Sequence, residues 1–225
     1  MTNSRSLLDH GEVRLVDKMG NDRRICEAAR VLIDAPWRNL EDPKLLKYMC
    51  ENGHTSPFEH AVFTFYVKAP IFVFRQWHRH RTWSFNEVSA RYKELPDEYY
   101  VPAPDNIGTQ SLNNHQSRVL DQRCTDYERA RSAEIDAACR FSFDVYQGLL
   151  RNSVPREIAR GVLPFNTYSE MFATVDLHNL MHFLRLRCDE HAQYEIRVYA
   201  DAMLELIEPI VPVTIGLFKE SLNAG

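Results

Sequence analysis

Strand-like hydrophobic patterns occur in three parts of the 225-residue chain. Residues 62–68 alternate and are rich in β-forming side chains, so they predict a strand, and residues 13–16 and 171–175 predict two others. The run 71–78 fits either a buried strand or a helix that opens at Pro70. We favour the helix, because its end would hold the charged segment that follows in a defined place.

Helical spacing of apolar residues predicts most of the other elements. The predicted helices span residues 21–33, 43–51, 120–150, 177–187 and 190–210. Asp42 and Asp176 are suitable N-caps for the second and fourth of them, and Pro212 is expected to close the last. The longest lacks a steady heptad, so it indicates core or subunit packing and not a coiled coil. Residues 105–116 are polar and predict a mobile loop.

Composition and length place the chain among globular enzymes. Hydrophobic residues make up 44% of it and charged residues 26%, and the length fits one domain, or two small ones at most. We expect a single domain over residues 1–225. No apolar run reaches membrane-spanning length, and the first ten residues lack the apolar segment of a signal peptide. We therefore expect a cytoplasmic protein without membrane contact.

The five cysteines are scattered along the chain, and no two form a Cys-x-x-Cys pair. This arrangement is typical of reduced, mostly buried thiols in a reducing compartment. Cys188, close to His191 in sequence, is the one cysteine whose neighbours would suit a nucleophile. The other four have no such context.

The most unusual feature is the segment 75–91, which concentrates positive charge in an acidic chain. Four arginines and one glutamate give it a charge of +3 with histidines neutral, whereas the whole chain carries −4. Arginine forks bind phosphate or carboxylate through two hydrogen bonds, and the tryptophans and polar side chains between them suit a flat ring. The simplest ligand with an anionic end and a flat polar ring is a nucleotide.

Two other interpretations of this segment compete with a nucleotide site. A run of Arg and His is commonly a solvated face, and aromatic residues between basic ones also suit single-stranded nucleic acid. The pI of about 6.1 argues against nucleic acid, because such binders are usually basic over the whole domain. The rival that stays open is a non-catalytic nucleotide- or RNA-binding module.

The order of residues within the charged segment is specific. Arg79-His80-Arg81 is followed by Ser84, Asn86, Glu87, Ser89, Arg91 and Tyr92, and this order resembles the signature of flavin-dependent thymidylate synthases. Three more segments are similar to other elements of that family: 54–60 (His-x-Ser/Thr-x-x-Glu-His), 153–160 (Gly-Val/Ile-Pro-Arg-Glu-x-Ala-Arg, with Ser153 for the usual Gly) and 186–196 (Leu-Arg, then Ala-Gln-x-Glu-Ile). The resemblance covers most of the chain from about His54 to Glu195.

The resemblance implies a fold and a reaction. The fold is α+β, an antiparallel sheet flanked by helices as in the thymidylate synthase-complementing proteins, assembled as a homotetramer with active sites shared between subunits. The reaction is the reductive methylation of dUMP to dTMP in de novo dTMP biosynthesis. In it 5,10-methylenetetrahydrofolate donates the carbon, and FAD reduced by NADPH donates the hydride, so no cysteine nucleophile is implied.

The resemblance also implies roles for individual residues. Arg187 is the implied catalytic residue, because in the family this arginine lies on the pyrimidine and favours ionisation of N3. The implied FAD contacts are Ser56, Arg79, His80, Arg81, Glu87, Asp176, His178 and His182. The implied dUMP contacts are Gln76, Trp77, His78, Arg79, Glu87, Val88, Ser89, Ala90, Arg91, Arg156 and Arg187. Many members have Asn at the position of Asp176.

Some of these residues also have purely structural interpretations. Ser56 and Glu59 form a capping-box pattern, which predicts a short capped helical turn. Arg156 and Arg160 fit an ordinary exposed pair one helical turn apart on a second short capped helix. Residues 91–92 are expected to return from the charged loop as an extended segment.

Zinc is the alternative ligand for the histidines near residue 180. His178 and His182 would share one helix face, with Cys188 and His191 close by in sequence. The helix should end near Cys188, and the spacing is not that of a standard zinc site. We therefore predict no metal at this position.

Overall fold

A five-stranded antiparallel sheet organises the fold in the computed structural model, which describes residues 3–31, 42–120 and 125–223. The strands, numbered along the chain, are β1 (Ser4–Leu7), β2 (Gly11–Met19), β3 (Val62–Pro70), β4 (Ser84–Glu87), β5 (Thr109–Gln110), β6 (Arg118–Val119) and β7 (Tyr168–Asp176). The sheet has the order β1-β2-β3-β7-β4, and β5 pairs with β6 in a separate hairpin. All of these pairings are antiparallel, so the predicted sheet is confirmed.

The central strand β3 shows why alternation is a strong signal. Its alternate side chains on the core face are fully buried: Phe63, Phe65, Val67 and Ala69. Burying one Phe or Val side chain contributes about 1.5–3 kcal/mol, so a register slip that exposed this face would be strongly unfavourable. The strand predicted over 62–68 is confirmed, and those over 13–16 and 171–175 are confirmed as parts of β2 and β7.

Helices surround the sheet. In the described part of the chain they are α1 (Asp22–Arg30), α2 (Pro43–Glu51), α3 (Ile71–Trp77), α4 (Asp126–Arg151), α5 (Arg156–Ala159), α6 (Leu177–Arg187), α7 (Tyr194–Ile207) and α8 (Pro212–Asn223). Buried residues of α3, α6 and α7 form one core with the inner face of β3 and β7. The α+β fold class is therefore confirmed, as is the helical interpretation of 71–78.

Two predicted caps are present where the pattern placed them. The Asp42 carboxylate accepts hydrogen bonds from the backbone N–H groups of Lys44 and Leu45, both at 3.1 Å. The Asp176 carboxylate accepts one from the N–H of Asn179 at 2.9 Å and so starts α6. Each such cap is worth about 1 kcal/mol, which explains why these boundaries were predictable.

The helices predicted over 21–33 and 120–150 include positions outside the described residues. α1 confirms the helix predicted over 21–33 as far as Arg30, and positions 32–33 lie outside the described part. α4 confirms the helix predicted over 120–150 from Asp126 onward. Leu120 is not helical, so the predicted start was wrong, and positions 121–124 lie outside the described part.

The prediction of a last helix over 190–210 was wrong at both ends. α7 begins only at Tyr194, and Pro212 starts another helix, α8, where it was expected to close the last one. A distant residue explains the start of α8. The buried Asp22 carboxylate accepts hydrogen bonds from the N–H groups of Val213 (2.8 Å) and Thr214 (3.2 Å) in the first turn of that helix. A cap supplied from the other end of the chain leaves no local pattern.

Four smaller predictions were also wrong. Ser56 does not cap a helix, because Ser56–His60 is a 3-10 turn without a side-chain cap bond. Pro155 precedes α5, so that short helix has no side-chain cap either. Residues 91–92 form a turn and not an extended segment, and the polar segment 105–116 contains β5 and part of a hairpin.

No helix within the described ranges combines the length and the apolar character that crossing a membrane requires.

Candidate active site

The charged segment 75–91 is a helix end, a turn and a short strand. α3 ends at Trp77, the turn carries Arg79 to Arg81, and β4 then pairs with β7. The helix end is held by its apolar side: Trp77 is fully buried and stacks on Phe183 of α6 with ring centroids 4.9 Å apart. The Trp77 side chain therefore belongs to the core, and the nucleotide contact expected at this position stays a prediction.

The arginines of the turn are left available by this arrangement. Arg79 and Arg81 are exposed, and no carboxylate among the described residues lies within ion-pair distance of either. Two unpaired guanidinium groups on one short turn suit an anion with several oxygen atoms, such as a phosphate or pyrophosphate.

His80 and Arg187 meet at the centre of the site, although they are far apart in sequence. The Nε of Arg187, at the end of α6, donates a hydrogen bond to Nε2 of His80 at 3.1 Å. Arginine can only donate, so His80 must be neutral with its proton on Nδ1. His80 is 8% exposed, and burial, with smaller contributions from Arg187 and His182, lowers its pKa to about 4.

Arg187 itself is a partly buried cation. Burial lowers the pKa of its guanidinium, yet no carboxylate among the described residues lies within ion-pair distance of it. Because arginine keeps its proton at neutral pH even when partly buried, a fixed cation is directed at whatever binds beside it.

A cleft of about 490 Å³ adjoins this centre between α2, the turn before β3, α6 and α8. Its lining combines apolar and polar side chains, among them Thr55, His178, Met181, His182 and Phe218. The ring of the cleft-lining His182 also lies 6.2 Å from that of His80, so the cleft and the arginine centre are neighbours. The size and mixed lining fit a flat, partly polar ring system such as a flavin.

The structure brings together only part of the expected flavin set. His178 and His182 line the cleft, whereas Ser56 lies one residue beyond the lining residue Thr55. Asp176 does not line it, since its carboxylate accepts from both the backbone N–H and the side-chain Nδ2 of Asn179. The lining residues on α8 were missed because that helix was not predicted.

Arg91 and Arg156 come from distant segments but lie on one surface. The guanidinium of Arg91 is 3.3 Å from Glu157, and that of Arg156 is 3.2 Å from Glu94. All four side chains are roughly half exposed, so these ion pairs are weak and can exchange for a ligand phosphate. The turn before α5 holds Ser153 at φ 61, a left-handed conformation that favours glycine.

The loop after β4 connects the two arginine regions. Glu87 accepts a hydrogen bond from the Ser169 hydroxyl at 2.8 Å, and its other oxygen is 4.0 Å from Nε2 of His78. The N–H of Arg91 donates to the Ser89 hydroxyl at 3.3 Å. Val88 and Ala90, which complete the expected dUMP loop, are partly buried in the same turn.

The zinc alternative finds no support at the histidines. Among the described residues, no three His, Cys, Asp or Glu side chains lie close enough to hold a metal ion. Cys188 is also unsuited to nucleophilic attack: burial, followed by the nearby Asp201, raises the pKa of its thiol to about 12.

Relatives of known type match nearly the whole chain. A flavin-dependent thymidylate synthase of Treponema denticola is 44% identical over 220 residues, which is 97% of this chain and 83% of that protein. Another, of Ruegeria pomeroyi, is 44% identical over 223 residues, covering 95% of this chain and 72% of its own length.

Solved structures agree in fold. The UMP/dUMP methylase PolB of Streptomyces cacaoi bound with 5-Br dUMP has a TM-score of 0.82 and 36% identity, covering 95% of this chain and 96% of that one. The same enzyme bound with 5-Br UMP has a TM-score of 0.85 and 38% identity, covering 93% and 94%.

The family model described as thymidylate synthase complementing protein matches residues 14–213. That span includes the arginine turn, the cleft-lining histidines and Arg187. The chain therefore belongs to the thymidylate synthase complementing protein family, whose members named above are flavin-dependent thymidylate synthases.

Proposed function

We propose that this chain is a flavin-dependent thymidylate synthase that methylates dUMP to dTMP. Its carbon donor is 5,10-methylenetetrahydrofolate, its cofactor is FAD, and NADPH is the reductant. The observation that carries the proposal is the partly buried Arg187, held through Nε by a neutral His80. The ring of His80 in turn lies near that of His182, which lines the cleft. Residues 1–225 act as a single catalytic domain.

Arg187 is the residue to which we assign transition-state stabilisation. Attack from C5 of uracil is easier when N3 carries negative charge, and a fixed cation beside that edge stabilises the anion. His80 uses the Nε hydrogen of Arg187, so both terminal nitrogen atoms of the guanidinium remain free for the nucleotide. A neutral partner also leaves the positive charge of Arg187 undiminished.

The nucleotide phosphate is assigned to Arg91 and Arg156, with Ser89 beside them. These arginines bind a dianion by breaking their ion pairs with Glu157 and Glu94. Because the pairs are exposed, breaking them costs little free energy. Gln76, His78, Glu87, Val88 and Ala90 complete the nucleotide side.

The flavin is assigned to the cleft and the turn next to it. Arg79 and Arg81 face its pyrophosphate, and Ser56, Glu87, His178 and His182 surround the rest. When bound, the reduced flavin supplies the hydride that completes the methyl group. Asp176 positions this set indirectly, by starting α6.

We also propose the homotetramer. Several large apolar side chains on and near α4 and α5 are exposed in the single chain: Tyr127, Phe141, Ile158, Val162 and Phe165. Exposed apolar surface of this kind is typical of subunit interfaces. Ile158 lies in the same short helix as Arg156, so subunit contact there would place the phosphate site at a shared boundary.

A visible absorption spectrum of the purified protein tests the proposal first. We expect a flavin spectrum that shifts when dUMP is titrated in, followed by formation of dTMP and tetrahydrofolate on adding methylenetetrahydrofolate and NADPH. UMP is compared in parallel, because PolB is described as a UMP/dUMP methylase. A colourless protein that cannot be reconstituted with FAD, with nucleotide affinity that falls steeply with salt, would support the binding-module rival instead.

A further inference from the structure

A chain of hydrogen bonds that starts at a buried carboxylate ends at one of the residues assigned to the nucleotide. Its anchor is Glu195 in the first turn of α7, which is 1% exposed. The Glu195 carboxylate accepts from Nη1 of Arg118 (2.9 Å), the hydroxyl of Tyr100 (3.0 Å) and Nε2 of Gln193 (2.9 Å). A second side-chain amide extends this network: Nε2 of Gln76 donates a hydrogen bond to Oε1 of Gln193 at 2.5 Å.

The carboxylate determines the direction of every bond in this chain. An ionised carboxylate only accepts, so Gln193 must present its NH₂ group to Glu195. That leaves the Gln193 carbonyl oxygen for Gln76, so Gln76 must present its own NH₂ group. The carbonyl oxygen of Gln76 is thereby turned away from the network and is free to accept a hydrogen bond from a ligand.

The other two partners hold the Glu195 carboxylate in place. Arg118 supplies a permanent positive charge from β6 of the small hairpin. Burial, and then the negative charge of Glu195, raises the pKa of Tyr100, so its hydroxyl stays a donor. The hairpin, whose first strand lies in the segment 105–116 that was predicted to be a mobile loop, therefore holds Glu195 through Arg118 of its second strand.

We propose that Glu195 is a positioning residue for nucleotide binding: acting through Gln193, it fixes which end of the Gln76 amide faces the nucleotide. The inference rests on the proposed function, in which Gln76 contacts dUMP. Gln76 lies in the last turn of α3, and its backbone carbonyl accepts a hydrogen bond from the N–H of Arg79 in the arginine turn. If the Gln76 side-chain amide could rotate freely, it would present its NH₂ group and its carbonyl oxygen to the nucleotide about equally. The fraction of protein molecules with the wrong group presented would then bind the nucleotide poorly.

Two variants can distinguish an effect of Glu195 on the direction of the Gln76 amide from a purely structural role of Glu195. In Glu195→Gln, the new side chain has the same shape, and its oxygen still accepts from Arg118 and Tyr100. Its NH₂ group must then face Gln193, so the amides of Gln193 and Gln76 are both reversed. In the double variant Glu195→Gln/Gln193→Glu, the carboxylate at 193 accepts from Gln76 and from the amide at 195. The direction of the Gln76 amide is then restored, although the buried carboxylate has moved.

The test compares steady-state kinetics of these variants as flavin-loaded full-length proteins, with thermal unfolding measured on the same samples. We expect Glu195→Gln to raise KM for dUMP about tenfold with kcat within about twofold, and the double variant to recover most of that change. Gln193→Met, at an exposed position, should raise KM similarly without lowering the midpoint of unfolding. Gln116→Met is the matched control, since Gln116 is exposed in the hairpin segment and outside the network.

Two results would overturn the inference. One is an unchanged KM in both Glu195→Gln and Gln193→Met. The other is a KM that rises equally in the single and double Glu195 variants, in proportion to lost stability, which would make Glu195 structural. Wild-type protein that forms no dTMP would instead overturn the proposed function, before any variant is compared.

Discussion

Arg187 and Arg156 present the same charged group in opposite surroundings. Arg187 is partly buried and donates through Nε to a neutral histidine, with no carboxylate of the described residues in ion-pair distance. Arg156 is exposed and already paired with Glu94 at 3.2 Å. The partly buried cation has no carboxylate partner among the described residues, whereas the exposed one has a carboxylate partner that it can exchange.

The difference in surroundings indicates different functional roles for Arg187 and Arg156. A cation held in low dielectric acts strongly on nearby charge and needs no rearrangement during the reaction, which suits transition-state stabilisation. An exposed arginine in a weak ion pair suits capture of a mobile dianion, because exchanging one anionic partner for another changes little in the protein. Substitutions should therefore affect turnover in the first region and binding in the second.

The largest effect is expected for Arg187→Ala. Loss of the fixed cation should lower kcat by about 10²–10³-fold, while the protein keeps its flavin absorbance. Single-turnover formation of dTMP measures the chemical step. Arg187→Lys is the companion variant, because a lysine keeps the charge but not the forked geometry. Normal turnover of Arg187→Ala would remove Arg187 from the mechanism.

The histidine beside Arg187 should make stability depend on pH. The folded pKa of His80, about 4, lies below its usual value of 6.5, so the unfolded chain binds a proton more readily. Stability from this group is complete above pH 6.5 and is lost as pH falls toward 4, by roughly 3 kcal/mol.

The control for this prediction is His80→Gln, which can still accept from Arg187 but does not titrate. Urea unfolding between pH 7.5 and 4 should show a steeper loss in wild type than in the variant. Parallel curves would mean that protonation of His80 is not opposed by its surroundings.

A binding effect is expected for Arg156→Ala. It should raise KM for dUMP about 10- to 100-fold, the loss typical of one charge-assisted hydrogen bond, with little change in stability. Arg160→Ala, one helical turn away and exposed, is the matched control and should leave KM nearly unchanged. Equal effects of the two variants would point to general surface charge and not to a phosphate site.

The smallest effect on turnover is expected for a substitution of Cys188, which follows Arg187 in the sequence. Cys188→Ser should keep turnover within about twofold, because a thiol whose pKa burial raises to about 12 is not a nucleophile at neutral pH. Cys139→Ser, at another buried cysteine, controls for the stability lost by placing a hydroxyl there. Complete loss of activity in a folded Cys188→Ser protein would reverse this assignment.

The sequence predicted elements well where the signal is local. The alternation in β3 and the caps at Asp42 and Asp176 act within a few residues, so their consequences appear in the pattern itself. α8 was missed because its cap is Asp22, nearly the whole chain away. Ser56 was misjudged because the capping-box pattern does not distinguish an α-helix from a 3-10 turn.

The sequence by itself therefore determined the strand and helix pattern, the family, and which side chains carry charge. Only the tertiary structure decided which of them act: Trp77 became core because Phe183 stacks on it, and His80 became a neutral acceptor because Arg187 reaches it. Periodicity and capping depend on neighbours in sequence. Burial, protonation and the direction of a hydrogen bond depend on groups that only folding brings within a few ångströms.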